Sequence, residues 1–311
     1  MGLTFPGGRR FAFTIMDDTD VATLANVRPV YELLRELGFR TTKTVWPVGC
    51  PEGSPNFHES DTLEDPDYLR FVLDLQAQGF EIAYHGATME SSRRARTESA
   101  FARFCELFGG PPRVYANHAY NKENLYWGVE RLDDPILRAL YRRFDGRPQD
   151  FYQGHVRESP WWWGDLAGRM SYARNLTFAD INLLRSNPSM PYHDPRRPIV
   201  PWWFSAADAE DVEAFNRLIS PEAQDCLERE GGVCIVATHL GKGFTDAGVV
   251  DPDTARLLRR LSAMAGWFVP VGELLDWLRL QREGRSDLPA SEWRRMQWRW
   301  ARELAMRHWR R

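Results

Sequence analysis

FAFTIMDDTD, residues Phe11–Asp20, is a short apolar run that delivers two adjacent carboxylates to its end. Phe11, Phe13 and Ile15 alternate with Ala12, Thr14 and Met16, so neither face is polar, the pattern of a strand buried on both sides. In parallel α/β proteins, chemistry gathers where strands end in loops. Asp17 and Asp18 at such an edge, with Asp20 two residues on, concentrate negative charge where solvation is poor. Either a cation neutralises it or one carboxylate keeps its proton. The competing reading is a solvated turn in which Asp20 caps the next helix.

The residues downstream repeat this design. Leu24, Val27, Val30, Tyr31, Leu34 and Leu37 have helical spacing, closed by Gly38. Residues 40–48 are rich in strand formers, and 49–65 form a long loop of Gly, Pro, Ser, Asn and acids, a length often associated with function. A helix over 67–78 leads into the strand FEIAYH, Phe80–His85, which presents His85 at its end. A helix over 93–108 stops at Gly109, Gly110, Pro111 and Pro112. RVYANH, Arg113–His118, ends in Asn117 and His118. Residues 119–206 carry little pattern beyond aromatic knots at Trp161–Trp163 and Trp202–Trp203. Ser220 opens a helix with Pro221 in its first turn. GVCIVATH, Gly232–His239, delivers His239, and a helix, a strand (267–271) and another helix close the series. Strands alternating with helices predict an α/β protein with a parallel sheet, and their number suits a barrel.

Composition narrows the function. The 311 residues are 43% hydrophobic and 27% charged, and a formal net charge of −3 gives no reason to expect a nucleic-acid partner. Cys50, Cys105, Cys226 and Cys234 form no closely spaced pair, which argues against a thiolate zinc site or a disulfide framework and fits a reducing cytoplasm. No apolar segment of signal-peptide form and no membrane-spanning stretch is expected. The thirteen tryptophans suit cores and also sugar rings.

Four strand ends therefore carry the candidate chemistry: Asp17 and Asp18, His85, Asn117 and His118, and His239. Carboxylates and imidazoles converging on one edge are what a divalent ion needs, with a position left for water. Each histidine alone also reads as a hydrogen-bonded core residue, His118 equally so. Asn117, Asn121 and Asn124, in a loop rich in amides and aromatics, can bond sugar hydroxyls, though asparagine also simply favours turns. Trp163 is a candidate stacking platform, with core packing as its alternative.

MDDTD after one strand, EIAYHG after another, CIVATH late in the chain and the closing FVPVGELLDWL together resemble the polysaccharide deacetylase (NodB-homology) superfamily. These are metal-dependent carbohydrate esterases on a distorted (β/α)7, TIM-like barrel. The resemblance covers about residues 10–280, with a poorly matched middle. It implies Asp17 as general base, Asp18 and His85 as metal ligands and His239 as the assisting acid. The family's second metal motif is His-x-x-x-His, and here Met89 stands at its second histidine, where a thioether is a poor ligand. Glu90 or His118 could complete the ligand set. Zinc is the first expectation for the metal, with iron, manganese, nickel or cobalt as alternatives. The family's arginine-proline motif has no clear match, and Asp165 is out of order for its aspartate-tryptophan element.

The implied activity is a cytoplasmic hydrolase that removes an acyl group, N-acetyl first, from a carbohydrate or nucleotide-sugar, with surface-polysaccharide synthesis as the analogous setting; a homo-oligomer is compatible with it. The rival reading is a catalytically inactive barrel that binds a glycan or a partner protein, motivated by Met89. A phosphatase with an aspartyl nucleophile is suggested by Asp18-Thr-Asp20, but Ala22 stands where that motif wants Thr or Val. The barrel is expected over 1–283. Residues 284–311 form a basic, Trp-rich C-terminal helix with eight arginines, Trp293, Met296, Trp300 and Leu304 on one face. That face lies against the barrel, with membrane or partner binding as the alternative.

Overall fold

The computed structural model describes residues 3–148, 150–282 and 287–309, with nothing on the side chains of 307–309. Seven parallel strands close into a barrel: β1 (Phe11–Asp17), β2 (Thr42–Val45), β3 (Glu81–Tyr84), β4 (Val114–Tyr115), β5 (Tyr172–Phe178), β6 (Trp202–Asp208) and β7 (Val233–Thr238). Each strand pairs with the next in sequence, and β1 pairs with β7 from Ala12↔Val233 to Asp17↔Thr238, which shuts the ring. A hairpin, β8 (Thr245–Asp246) and β9 (Val249–Val250), stands outside it, and β10 (Gly266–Trp267) pairs with the start of β1.

The helices are α1 (Leu24–Glu36), α2 (Pro66–Ala77), α3 (Arg94–Phe108), α4 (Pro135–Asp145), α5 (Gly164–Ala167), α6 (Val212–Leu218), α7 (Pro221–Glu230), α8 (Pro252–Ser262), α9 (Val271–Leu280) and α10 (Ala290–Trp309). Thr23, and not Asp20, caps α1: its hydroxyl accepts from Asn26 N while the Asn26 side chain accepts from Thr23 N. That frees Asp20 for another task. All seven residues of β1 are buried, as a parallel strand covered on both sides requires. The strand expected over 267–271 is two residues long, because Pro270 already caps α9. The middle of the chain supplies β5 and β6, and the register between them shifts between Arg174 and Thr177.

α10 packs on the barrel wall. Trp293, Met296 and Trp300 are buried, and polar bonds fasten the helix along its length. Glu292 accepts from Ser189 N (2.9 Å) and Oγ (2.7 Å), Gln297 accepts from Asp133 N (2.6 Å) and Asp134 N (3.1 Å), and Glu303 accepts from Ala179 N (2.7 Å). An apolar face so covered is not available to a bilayer. The expected boundary at 283/284 lies outside the described residues. Among the described residues, no helix is long and apolar enough to cross a membrane.

Candidate metal centre

The three aspartates at the end of β1 go to different places, and placement decides their chemistry. Asp17 is fully buried and does not line the cavity at the barrel mouth. Its Oδ2 lies 2.9 Å from Lys43 Nζ on β2 and accepts from the Tyr31 hydroxyl at 3.0 Å, and its Oδ1 accepts from Leu240 N at 2.8 Å. Lys43 is buried as completely, and its ammonium is off the line of a hydrogen bond, so the attraction is Coulombic. This corrects the assignment of Asp17 as general base: a carboxylate held by three neighbours below the cavity floor has no access to substrate.

Asp18 does reach the cavity. Arg174 on β5 grips it with two bonds, Nη1 to Oδ1 at 2.9 Å and Nη2 to Oδ2 at 2.5 Å. Burial alone would raise its pKa, but Arg174, with His85 and His239 nearby, holds it below the usual carboxylate range. Each oxygen accepts one bond from the guanidinium and keeps a further lone pair.

Asp20 is the centre of the constellation. The Nε2 atoms of His118, His239 and His85 lie 2.8, 3.1 and 3.4 Å from its oxygens, and that of His58 lies at 3.9 Å. These imidazoles come from the ends of β4, β7 and β3 and from the 49–65 loop. The loop that places Asp20 is strained: Val21, a β-branched residue, sits at φ 59°. Gly241 packs against it so closely that a Cβ there would lie 2.4 Å from the Val21 carbonyl oxygen. No larger residue fits that contact.

The donor set suits a cation. His239 Nδ1 lies 2.7 Å from the Glu210 carbonyl oxygen, and His118 Nδ1 lies 3.2 Å from Asn121 Oδ1. Both partners are acceptors, so each Nδ1 carries the proton, and a neutral ring would point a bare Nε2 lone pair at Asp20. Lone pair against carboxylate at 2.8–3.1 Å is tolerable only with a proton or a metal ion between them. Without an ion the proton wins. Burial opposes charge on His118 and His239, but Asp20 outweighs it and raises both. Burial likewise opposes charge on Asp20, yet His118 and His239, with His85 close by, hold its carboxyl well down. Both ring nitrogens of His85 are buried without a hydrogen-bond partner. Asp18, Asp20 and His85 each bring a ligand atom within 4.8 Å of the others, a geometry that could hold a metal ion.

The other expected site residues fall elsewhere. Glu90 is not at the centre: it pairs with Arg96 at 2.5 Å, outside the cavity lining. Met89 is buried and its Sδ accepts from His58 N at 3.3 Å, so it positions the loop that brings His58 in. Asn117 touches the cavity, but its oxygen accepts from the Tyr115 hydroxyl and Leu125 N and its amide donates to Leu125 O. Asn121 and Asn124 are buried staples of the same loop, Asn121 donating to Thr88 O and Glu123 and Asn124 to His118 O. Trp163 is wholly buried, donating to Glu123 O. These three are corrected from substrate contacts to supports, because amide and indole groups folded under a loop cannot reach a ligand. Asp165 pairs with Arg94 outside the cavity.

The sequence reading missed Asp20 as a ligand, and with it His58, Arg174, Arg131, Trp127 and Lys242, which line the same cavity of about 660 Å³. The Asp-x-Asp spacing and a histidine inside a suspiciously long loop were the available signals. Arg174 had none, since its partner is 156 residues away.

No family model matches the sequence, and no curated protein matches it. Solved structures do match. A Mycobacterium smegmatis protein described as a polysaccharide deacetylase aligns at 15% identity over 93% of this chain and 96% of its own, with a TM-score of 0.50. One from Pseudomonas aeruginosa PAO1, similarly described, aligns at 14% identity over 91% and 95%, TM-score 0.50. Puue allantoinase aligns at 14% identity over 91% and 94%, TM-score 0.51. The chain therefore has the α/β barrel fold of polysaccharide deacetylases over most of its length.

Proposed function

We propose that the chain is a metal-dependent hydrolase that removes an acyl group, N-acetyl first, from a carbohydrate or sugar precursor. One observation carries the reading: a buried carboxylate, Asp20, encircled by imidazoles from three strand ends on the floor of a small-molecule-sized cavity. Asp20, His85 and His118 would hold the ion, His118 standing in for the imidazole that Met89 lacks. A divalent ion held there acts as a Lewis acid toward a carbonyl and lowers the pKa of water toward ~7.

The carboxylate pair that faces the cavity is Asp18 and Asp20, so the roles the resemblance gave to Asp17 and Asp18 move along the chain. Asp18 is the general base. It is ionised at neutral pH, and the two bonds from Arg174 fix which way its remaining lone pairs face. His239 is the acid: the Glu210 carbonyl oxygen, 2.7 Å from Nδ1, holds the ring so that Nε2 faces the centre and can carry a proton to the departing amine. The neighbours on this fold are described as polysaccharide deacetylases and as an allantoinase, which supports hydrolysis as the class while leaving substrate size open.

The test separates metal from chemistry. Elemental analysis should find about one divalent ion per chain, lost in Asp20→Asn and His85→Ala. Asp18→Asn should keep the ion and release acetate from N-acetyl sugars roughly 10²–10⁴-fold more slowly, the usual worth of a positioned base. A wild type that takes up no zinc, iron or manganese overturns the reading.

A further inference from the structure

Among the described residues, one cation of the cavity stands without a carboxylate partner. Arg131, in the short 3-10 turn Gly128–Arg131, is only 8% exposed and lines the same cavity as Asp18 and Asp20. Its guanidinium packs on two indoles, 4.0 Å from the ring centre of Trp127 and 4.6 Å from that of Trp300 on α10. Its Nε donates weakly to Gly128 O at 3.4 Å, and the Tyr141 hydroxyl is a neutral polar neighbour. No carboxylate of the described residues forms an ion pair with it; Asp145, whose charge influences it, is engaged with Arg147 at 3.8 Å. The other cations of the cavity are answered, Arg174 by Asp18 and Lys242 by Glu210 at 3.8 Å. A buried guanidinium without an acid is costly unless a ligand supplies the charge.

From this, and resting on the hydrolase reading, we propose that Arg131 is an anion subsite and that the substrate is a small acylated molecule bearing a carboxylate or phosphate group. Both indoles pack against the guanidinium, which leaves its N–H edge as the part that recognises a ligand. That edge matches the paired oxygens of a carboxylate or phosphate and offers nothing special to a neutral hydroxyl. The same contact gives the fastening of α10 a purpose: the helix contributes Trp300, one of the two indoles on Arg131, and with Leu304 a wall of the cavity. A cavity of about 660 Å³ walled in this way holds a molecule of one or two sugar units.

Matched probes test this on the full-length protein: N-acetylglucosamine, its 6-phosphate and N-acetylmuramic acid, by calorimetry on zinc-loaded protein, with acetate release measured in parallel. At least one anionic probe should bind roughly ten- to a hundredfold more tightly than the neutral sugar, the usual gain from charge-assisted bonds to a buried cation. Arg131→Gln should abolish that preference, and Arg131→Lys should keep part of it, since charge survives but the stacked fork does not. Equal binding of neutral and anionic probes by the wild type overturns the subsite whether or not the variants fold, as does a preference that survives Arg131→Gln. An Arg131-dependent preference without any acetate release leaves the subsite standing and removes the hydrolase. Acetate release indifferent to probe charge does the reverse.

Discussion

Replacing Asp17 with asparagine keeps the shape of the side chain and removes its charge. A general base so treated would leave a stable, metal-loaded, slow enzyme. The structure requires a different outcome. The neutral amide would leave the Lys43 ammonium with no exposure and no counter-charge, the Tyr68 hydroxyl being its remaining polar neighbour. Breaking one side of a buried ion pair costs about 3–5 kcal/mol. With unfolding entropy near 2.1 cal/mol/K per residue, a chain of this length should lose roughly 5–8 °C in Tm. Lys43→Met should cost less, because the stranded carboxylate keeps the Tyr31 hydroxyl and Leu240 N as donors. The double variant Asp17→Asn/Lys43→Met should recover at least half of the loss from Asp17→Asn, since two apolar-compatible groups then replace a broken pair. Urea denaturation and calorimetry on the three variants, with metal content and acetate release per folded molecule, decide the matter. If Asp17→Asn melts within a degree of wild type, keeps its ion and loses activity a hundredfold, Asp17 is the base and its burial does not bar it from the chemistry.

Other outcomes follow from the same geometry. Burial pushes the Glu123 carboxyl up to about 7, so the folded protein keeps a proton that the unfolded chain releases above ~4.5. Its contribution to stability therefore falls as pH climbs between those values, and Glu123→Gln should gain about 3 kcal/mol on wild type from pH 4.5 to 7 in denaturation curves; a difference that does not change with pH refutes this. Trp293→Ala, which empties a buried indole site and removes one donor from Asp133, still held by Arg196 and Arg197, should cost about 3–5 kcal/mol in the same assay. Gly241→Ala should lower metal occupancy by displacing Val21 and the Asp20 beside it, and full occupancy would show that the contact yields. Chelation should lower the wild-type Tm and leave that of Asp20→Asn unchanged, because an ion stabilises only a fold that binds it.

What the sequence disclosed was the set of strand ends, because β1, β3 and β7 are apolar runs stopped by a polar residue. It could not disclose which aspartate faces the cavity. β1 is buried on both sides, so no alternation of polar and apolar residues marks an inner and an outer face, and Asp17 and Asp18 look equivalent until Lys43 and Arg174 are placed. Lys43 was hidden in RTTKTVWPV as an ordinary strand lysine. The middle of the chain resisted for a related reason. YARNLTF, the strand that brings Arg174, mixes Arg174, Asn175 and Thr177 with apolar residues, and its register against β6 shifts between Arg174 and Thr177, so no clean strand period can be read from it. The tail was legible as an amphipathic helix laid against the barrel, but its role in the cavity was not, since Trp300 meets Arg131 across 169 positions of sequence.

The seam where β1 meets β7 has a consequence for how the molecule comes to exist. Ala12 pairs with Val233 and Asp17 with Thr238, and the Asp17 carboxylate adds a stitch to Leu240 N across the same joint. These contacts span more than two hundred residues, so loop-closure entropy must be met before they return anything, and closure comes late. Until then two apolar strands, FAFTIM and VCIVAT, wait with open edges, each a template for pairing with another chain. Refolding yield should therefore fall steeply with protein concentration, and the competition is won or lost at the joint that Asp17 fastens.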